Sequence, residues 1–476
     1  MAESSKAQGI SGPLPASQNV GWLNEVTAQA WTFINSAVAQ FAKTALVEEL
    51  EKQTSLVGKL VKVQNLDIGT EPFSLNGVTV EPNPRKLDRI AIDFDFTYDG
   101  NPDIDATLAG APLGIDNVKF AGRLRVIIGP LMHQLPIIGA ISFFFVHEPT
   151  FDFNLTGILQ VGDFWIIRNA VDSAVRTCIQ EIAILPNRQV ILLDKTGAVD
   201  ANLVKHPFPQ SVMFVTIVDI TNVEDKDLFG GGSDVYVQLK VGGSEYRTSV
   251  KDDVETTTVI FNERVDMLLE ETFDQILTIS VFDEDNLLSD DTLGHTSVNL
   301  SSVAKDTTIS LKLSDTKKES NITLCFQPML LSQWKPIVSP RKDISGETLP
   351  SHLLIVKIGA VYDLPNADSN GYTATVSLLD HEPQKKSLDI VTDAESGTVL
   401  NHSPAEDNRQ CRFLISRVDG TITIEISDRD VSIGQFNLTF DNLRMAEEMC
   451  IKGQFTLDSG TLLDLHYQLF GIVPCP

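Results

Sequence analysis

The sequence predicts an α+β domain followed by two all-β sandwiches. Three observations carry that prediction. At 476 residues the chain exceeds one ordinary core, and three domains is the natural division. Up to about Asp200, long alternating strands lie between two stretches of helical spacing. From Val212 onward, apolar strands alternate with acidic loops, and from His352 the pattern returns.

Residues 1–16 are polar and read as a disordered tail. They hold no apolar core, so they are not a signal peptide. Trp22, Val26, Ala30, Ile34, Val38, Phe41 and Ala45 then recur at helical spacing, which predicts an amphipathic helix from about Gly21 to Glu51. Strands follow. In Leu87 to Tyr98, Ile90, Ile92, Phe94, Phe96 and Tyr98 fall on one face, and Arg89, Ala91, Asp93, Asp95 and Thr97 on the other. Val118 to Ile128 turns Phe120, Leu124, Val126 and Ile128 inward. Ile137 to Val146 is apolar on both faces, and Thr150 to Leu159 alternates through Phe151, Phe153 and Leu155. Pro130, His133, Gln134 and Pro136 interrupt Val126 to Val146, so it reads as two strands around a loop. No run of 18 apolar residues would cross a membrane as a helix. Asp163 can cap a second helix, which reaches Leu185 and is stopped by Pro186.

The apolar faces of these strands exceed what a single layer needs. Ile92, Phe94, Phe96, Val126, Phe143, Phe145, Phe153 and Leu155 are, as a group, the candidate lining of an apolar groove. Against this stands the commoner fate of such residues, which is plain core.

Chemistry concentrates further along. VFDEDNLLSDDTLG, from Val281 to Gly294, crowds Asp283, Asp285, Asp290 and Asp291 into one loop after an apolar strand. Like charges so close repel, and a hard divalent cation relieves the repulsion, since Ca²⁺ takes about 6–8 oxygens at flexible geometry. A second acidic loop, DLFGGGSD from Asp227 to Asp234, also follows an apolar strand, Val212 to Ile220. Together they offer Asp227, Asp234, Asp283, Asp285 and Asp291 as metal ligands, with Asp225 a competitor for the first position. Leu228, Phe229, Leu287 and Leu288 sit among the carboxylates, where a solvated acidic face would hold polar residues. They are the expected membrane-inserting tips.

From His352 the strand-and-loop pattern repeats with fewer carboxylates. Asp368 is in place, but Thr373, Ala374 and Thr375 stand where a second aspartate belongs. The later loop, SDRDVSIG, keeps Asp428 and Asp430 and is short. Two or three carboxylates make a poor calcium cage, so this domain is expected to be calcium-independent. The boundaries expected are 17–204, 205–330 and 350–472, with a proline-bearing linker at 331–349.

Composition narrows the function. A formal charge of -27 disfavours nucleic acid as a partner and repels an anionic membrane unless something reverses it locally. Five scattered cysteines (Cys178, Cys325, Cys411, Cys450, Cys475) argue for a reducing compartment. There is no Gly-x-Ser-x-Gly elbow and no His-Glu-x-x-His. The chain is therefore not expected to be an enzyme. A calcium-dependent lipase would need a nucleophile, and none stands out.

Two resemblances follow. Val212 to Phe326 is similar to the calcium-binding C2 domain. GSDVYVQL matches its loop-to-strand motif, with Val235 where proline is usual, and DEDNLLSDDTLG matches its third loop. GWLNEVTAQAWTFIN, GRLRVIIGPL, GAISFFFVHEPTFDFNL and AVRTCIQEIAILPNRQVI, in that order, resemble the TULIP-like SMP lipid-binding domain over about Asn19 to Asp200. An SMP domain followed by C2 domains is the layout of the extended synaptotagmin, tricalbin and plant synaptotagmin family. The resemblance implies glycerophospholipid transfer and tethering between endoplasmic reticulum and plasma membrane, an SMP homodimer, and peripheral attachment on the cytosolic face. Family members carry an N-terminal membrane hairpin, whereas this chain starts directly at the SMP-like segment. A membrane tether or scaffold without lipid transfer is the alternative.

Overall fold

A computed structural model describes residues 20–474 apart from 53–60, 83–87, 109–110, 158–163, 224–232, 255–256, 272–273, 285–289, 305–306, 315, 317–318, 334–340, 363, 365–371, 389, 393–398 and 402–407. The N-terminal domain comprises α1 (Gly21–Lys52), β1 (Val61–Asp67), β2 (Ser74–Val80), β3 (Ile90–Gly100), β4 (Asp103–Leu108), β5 (Ala111–Ile128), β6 (Ala140–Phe145), β7 (Thr150–Gly157), α2 (Phe164–Ala183) and β8 (Gln189–Leu192). The eight strands form one antiparallel sheet whose spine is β5. Its first half pairs with β4 and β7, and its second half with β3 and β6. The two halves meet where the β5–β7 register slips between Asp116 and Lys119, with Asn117 at φ 49°. A bulge of this kind bends and twists a strand. The expected strand from Val118 is thus the second half of a longer one.

Helix α1 has the expected bounds but not the expected face. Trp22, Val26, Val38 and Phe41 are exposed, and Thr27, Trp31 and Ala39 are buried. Amides dock this helix. Asn24 Nδ2 donates to the Leu75 carbonyl at 3.0 Å, and its Oδ1 accepts from the Leu75 N–H at 2.7 Å. Asn35 does the same against Gly69 and Ile68, at 3.1 Å each, and Trp31 Nε1 donates to the Gly69 carbonyl at 2.9 Å. Backbone groups beside α1 are satisfied this way, which apolar spacing does not reveal. The second helix starts at Phe164; its expected cap, Asp163, lies outside the described residues.

After a short helix, α3 (Ala201–Lys205), come the sandwiches. The first has β9 (Ser211–Thr221), β10 (Ser233–Val241), β11 (Ser244–Arg247), β12 (Lys251–Val254), β13 (Thr258–Leu269), β14 (Ile276–Asp283), β15 (Asp291–Asn299), β16 (Thr307–Lys312) and β17 (Asn321–Ser332). The second has β18 (His352–Tyr362), β19 (Tyr372–Leu378), β20 (Gln384–Ser387), β21 (Ile390–Thr392), β22 (Val399–Asn401), β23 (Gln410–Ile415), β24 (Thr421–Asp428), β25 (Val431–Thr439), the helix α4 (Phe440–Met445), β26 (Cys450–Thr456) and β27 (Leu462–Pro474). Each encloses a dense aliphatic core, with Val215, Ile217 and Phe326 at the centre of the first and Val356, Ile424 and Leu469 in the second. The sandwiches are joined edge to edge: Met329–Ser332 of β17 pair with Gly471–Pro474 of β27, giving one sheet in the order β13-β9-β17-β27-β18-β23.

The N-terminal sheet rests on the first sandwich through its charged face. Arg125 is 0% exposed and grips Asp93 through Nε and Nη2 at 2.7 and 2.8 Å. Glu271, just past β13, accepts two bonds from Arg89 at 3.1 Å, and Arg125 and Arg188 stand 3.5 and 3.8 Å from it. Glu270 bridges Arg188 of the N-terminal domain at 3.4 Å and Arg412 of the second sandwich at 2.9 Å. Burial pushes the Glu271 carboxyl up, but Arg89, Arg188 and Arg125 outweigh it and hold it below the usual range. The Gly242–Gly243 turn presses against Leu185. At Gly242, φ is 57°, and a Cβ would sit 2.4 Å from the Leu185 carbonyl oxygen, so only glycine fits.

Candidate functional site

Two features face away from these joints. The first is the uncharged face of the N-terminal sheet. Residues opposite one another in an antiparallel ladder share a face. Ile92, Val126 and Phe143 form one such row across β3, β5 and β6, and Phe94, Leu124 and Phe145 form the next. Phe96 follows, in register with Gly122. Aromatic contacts run along this face from α1. Trp31 meets Phe73 at 5.8 Å, Phe73 meets Phe96 at 6.1 Å, and Phe96, Phe120 and Phe145 form a triangle with sides of 5.6 to 6.0 Å.

Burial divides the eight expected groove residues. Ile92, Phe94, Phe96, Val126, Phe143 and Phe145 are only half-buried. Phe153 is 1% exposed, and Leu155 is buried with it in a cluster with Val171 of α2. These two are core under α2, on the same face as the other six. The opposite face is sealed: Asp93, Arg125 and Ser142 lie buried there beside the apolar cluster of Ala91, Ile127 and Phe144, while the aromatic face stays half open. A run of half-exposed aromatic side chains is unfavourable in water unless something apolar covers it.

The second feature is the acidic end of the first sandwich. Val235 is in register with Asp283, and Asp283 with Asp291. The Asp234 N–H donates to Asp283 Oδ1 at 2.7 Å, and the Glu284 N–H to the Asp234 carbonyl at 2.9 Å. Asp234 and Asp283 are thus linked where the strands end, with Asp291 opposite Asp283 in the ladder; among the described residues no three such side chains stand close enough together to hold a metal ion. Asp227, Asp285, Leu228, Phe229, Leu287 and Leu288 lie outside the described residues. Sequence reasoning missed what stiffens this end. Tyr236 stacks on Phe282 at 5.3 Å and lies under the Arg247 guanidinium at 3.6 Å, and its hydroxyl donates to Asp290 Oδ2 at 2.6 Å. Burial first, and then Asp290, push the Tyr236 hydroxyl up to about 12. The alternation of β10, which turns Tyr236 away from the core, was the available signal.

The second sandwich closes the same end differently. Asp428 pairs directly with Val431, and Arg429 and Asp430 have φ of 45° and 67°. This is a two-residue hairpin of the primed type, where the first sandwich has residues 284–290. Asp368 lies outside the described residues.

The profile of the synaptotagmin-like mitochondrial-lipid-binding domain matches residues 16–193, and that of the C2 domain matches 211–314. Human extended synaptotagmin-2 is 24% identical over 94% of this chain and 49% of its own length. Mouse extended synaptotagmin-1 is 25% identical over 94% of the chain and 41% of its own. The matched regions keep one order along almost the whole chain. The chain belongs to the extended synaptotagmin family. A solved extended synaptotagmin 2 fragment with SMP, C2A and C2B domains superposes with a TM-score of 0.68, covering 96% of this chain and all of that one at 20% identity. That likeness establishes the fold: an SMP domain of helices and curled sheet, then C2 sandwiches. The chain spans about half the length of the curated relatives it matches. The matched N-terminal profile is that of a lipid-binding domain. Among the described residues no helix is long and apolar enough to cross a membrane.

Proposed function

We propose that this chain carries glycerophospholipid in its SMP domain between membranes that its C2 domains hold together, at contacts between endoplasmic reticulum and plasma membrane. The observation that carries the reading is the half-open aromatic face of a sheet whose other face is sealed. Acyl chains cost about 0.8 kcal/mol per CH₂ in water, and Ile92, Phe94, Phe96, Val126, Phe143 and Phe145 offer them an apolar bed. Phe153 and Leu155 support that bed from beneath α2.

The carboxylates of the first C2 domain suit a hard cation, because every donor is an oxygen and Asp283 is already held by a backbone N–H. Asp227, Asp234, Asp283, Asp285 and Asp291 would hold Ca²⁺. When bound, calcium supplies positive charge at the loop tips and positions for lipid phosphate oxygens. Leu228, Phe229, Leu287 and Leu288 would then enter an anionic bilayer. The closed hairpin at Arg429–Asp430 supports a calcium-independent role for the second C2 domain. The SMP domain would pair with a second copy.

Transfer of fluorescent phospholipid between vesicles tests the proposal. The full chain should transfer, and Phe94→Trp/Phe145→Trp, which fills the bed, should transfer far more slowly while remaining folded. Equal rates for both, or for a chain without residues 1–204, would leave only a tether.

A further inference from the structure

One end of the open apolar face continues into a second apolar feature. Ile90, Ile128, Ile141 and Ile191 stand in register across β3, β5, β6 and β8. Beyond that row the connection from β5 to β6 is a narrow hairpin. Leu131 pairs with Ile138, the Met132 N–H donates to the Ile137 carbonyl at 2.7 Å, and the Gly139 N–H to the Pro130 carbonyl at 2.9 Å. The Leu131 N–H reaches the Asp88 carbonyl at 2.6 Å, and the Leu193 N–H the Gly139 carbonyl at 2.9 Å, so the hairpin is fixed at its base. Its apex is nevertheless open, with Leu135 84% and Ile137 59% exposed beside the exposed His133 and Gln134.

Charge is absent where it is abundant elsewhere. From Val126 to Val146 there is no Asp, Glu, Lys or Arg, in a chain of net charge -27. Of the nearest carboxylates, Asp88 stands at the base. Asp194 is occupied by the Thr196 hydroxyl and the Thr196 and Val199 N–H groups at 2.7 to 3.0 Å. A projection without carboxylate, lysine or arginine that bares Leu135 and Ile137 suits a bilayer, with the polar tips of His133 and Gln134 able to stay at its wet interface. The hairpin also adjoins the isoleucine row at the end of the groove.

We propose that the 129–139 hairpin and the isoleucine row form a membrane-contact tip through which acyl chains pass between a phospholipid bilayer and the groove. This rests on the lipid-carrying reading of the SMP domain. It differs from calcium-dependent docking because it needs neither cation nor anionic lipid.

The test uses the full chain with chelator and uncharged phosphatidylcholine vesicles. Leu135→Trp places an indole at the apex, and brominated phosphatidylcholine should quench its fluorescence beyond the quenching of the wild type. Leu135→Glu/Ile137→Glu should slow phospholipid transfer by about tenfold or more, with co-purified lipid unchanged by native mass spectrometry. No extra quenching together with an unchanged transfer rate would overturn the tip. So would a shift from dimer to monomer on sedimentation of the glutamate variant, which would make the hairpin a contact between copies. Absence of co-purified lipid from the wild type would instead defeat the groove reading, and the quenching would then decide the tip alone.

Discussion

Glu271→Ala tests whether the SMP domain and the first C2 domain act as one body. Glu271 is 1% exposed and receives Arg89 twice at 3.1 Å, with Arg125 and Arg188 within 3.8 Å. Its removal leaves two buried guanidinium groups, Arg125 and Arg188, and the partly buried Arg89 short of a counter-charge. Arg125 keeps Asp93 and Arg188 keeps Glu270, while Arg89 loses its two bonds to Glu271. Breaking a buried ion pair on one side costs about 3–5 kcal/mol, which is roughly two to four powers of ten in the docked-to-open ratio. The readout is trypsin cleavage after Arg188, a bond that opening of the joint exposes. Cleavage by a dilute protease follows the open population, so it should quicken at least about a hundredfold. Glu271→Gln, which can still accept from Arg89, should fall between. Identical cleavage of all three proteins would refute the argument that this cluster holds the joint.

Three further predictions follow from single residues. Phe153→Ala should destabilise the SMP domain by about 3–5 kcal/mol, and Phe94→Ala by much less, because only Phe153 is fully enclosed; denaturant melts of both variants decide it. Calcium should promote sedimentation with phosphatidylserine vesicles, an effect lost in Asp283→Asn/Asp285→Asn and weakened in Leu287→Ala/Leu288→Ala; equal binding in chelator would exclude the switch. Asp274 is pushed up by burial but held down to about 2 by His147, Asn299 and Arg123. A carboxyl depressed when folded stabilises above its unfolded value of about 4 and loses that contribution as pH falls towards about 2. The melting-temperature gap between wild type and Asp274→Asn should therefore be widest above pH about 4 and shrink below it; a gap that does not change with pH would contradict this.

Much of the fold was legible because it lies in short-range patterns. Strict alternation in Ile90 to Tyr98 and the aspartate spacing after Val281 need no knowledge of distant chain. What escaped was long-range. Asp93 reads as a solvated position on a strand, yet it is sealed because Arg125 grips it from the next strand and Arg125 in turn meets Glu271 of another domain. Helix α1 reads as amphipathic, yet Asn24 and Asn35 choose the face that docks. Alternation put Phe153 and Phe94 on one face but could not say which one α2 would cover. The edge pairing of β17 with β27 depends on two strands far apart in sequence, and nothing local announces it.

Native mass spectrometry of the intact chain, purified without added lipid, tests the central claim most directly. The account predicts phospholipid-mass adducts on the wild type and their loss from Phe94→Trp/Phe145→Trp at unchanged fold. A wild type free of lipid that still binds vesicles through its C2 domains would contradict it.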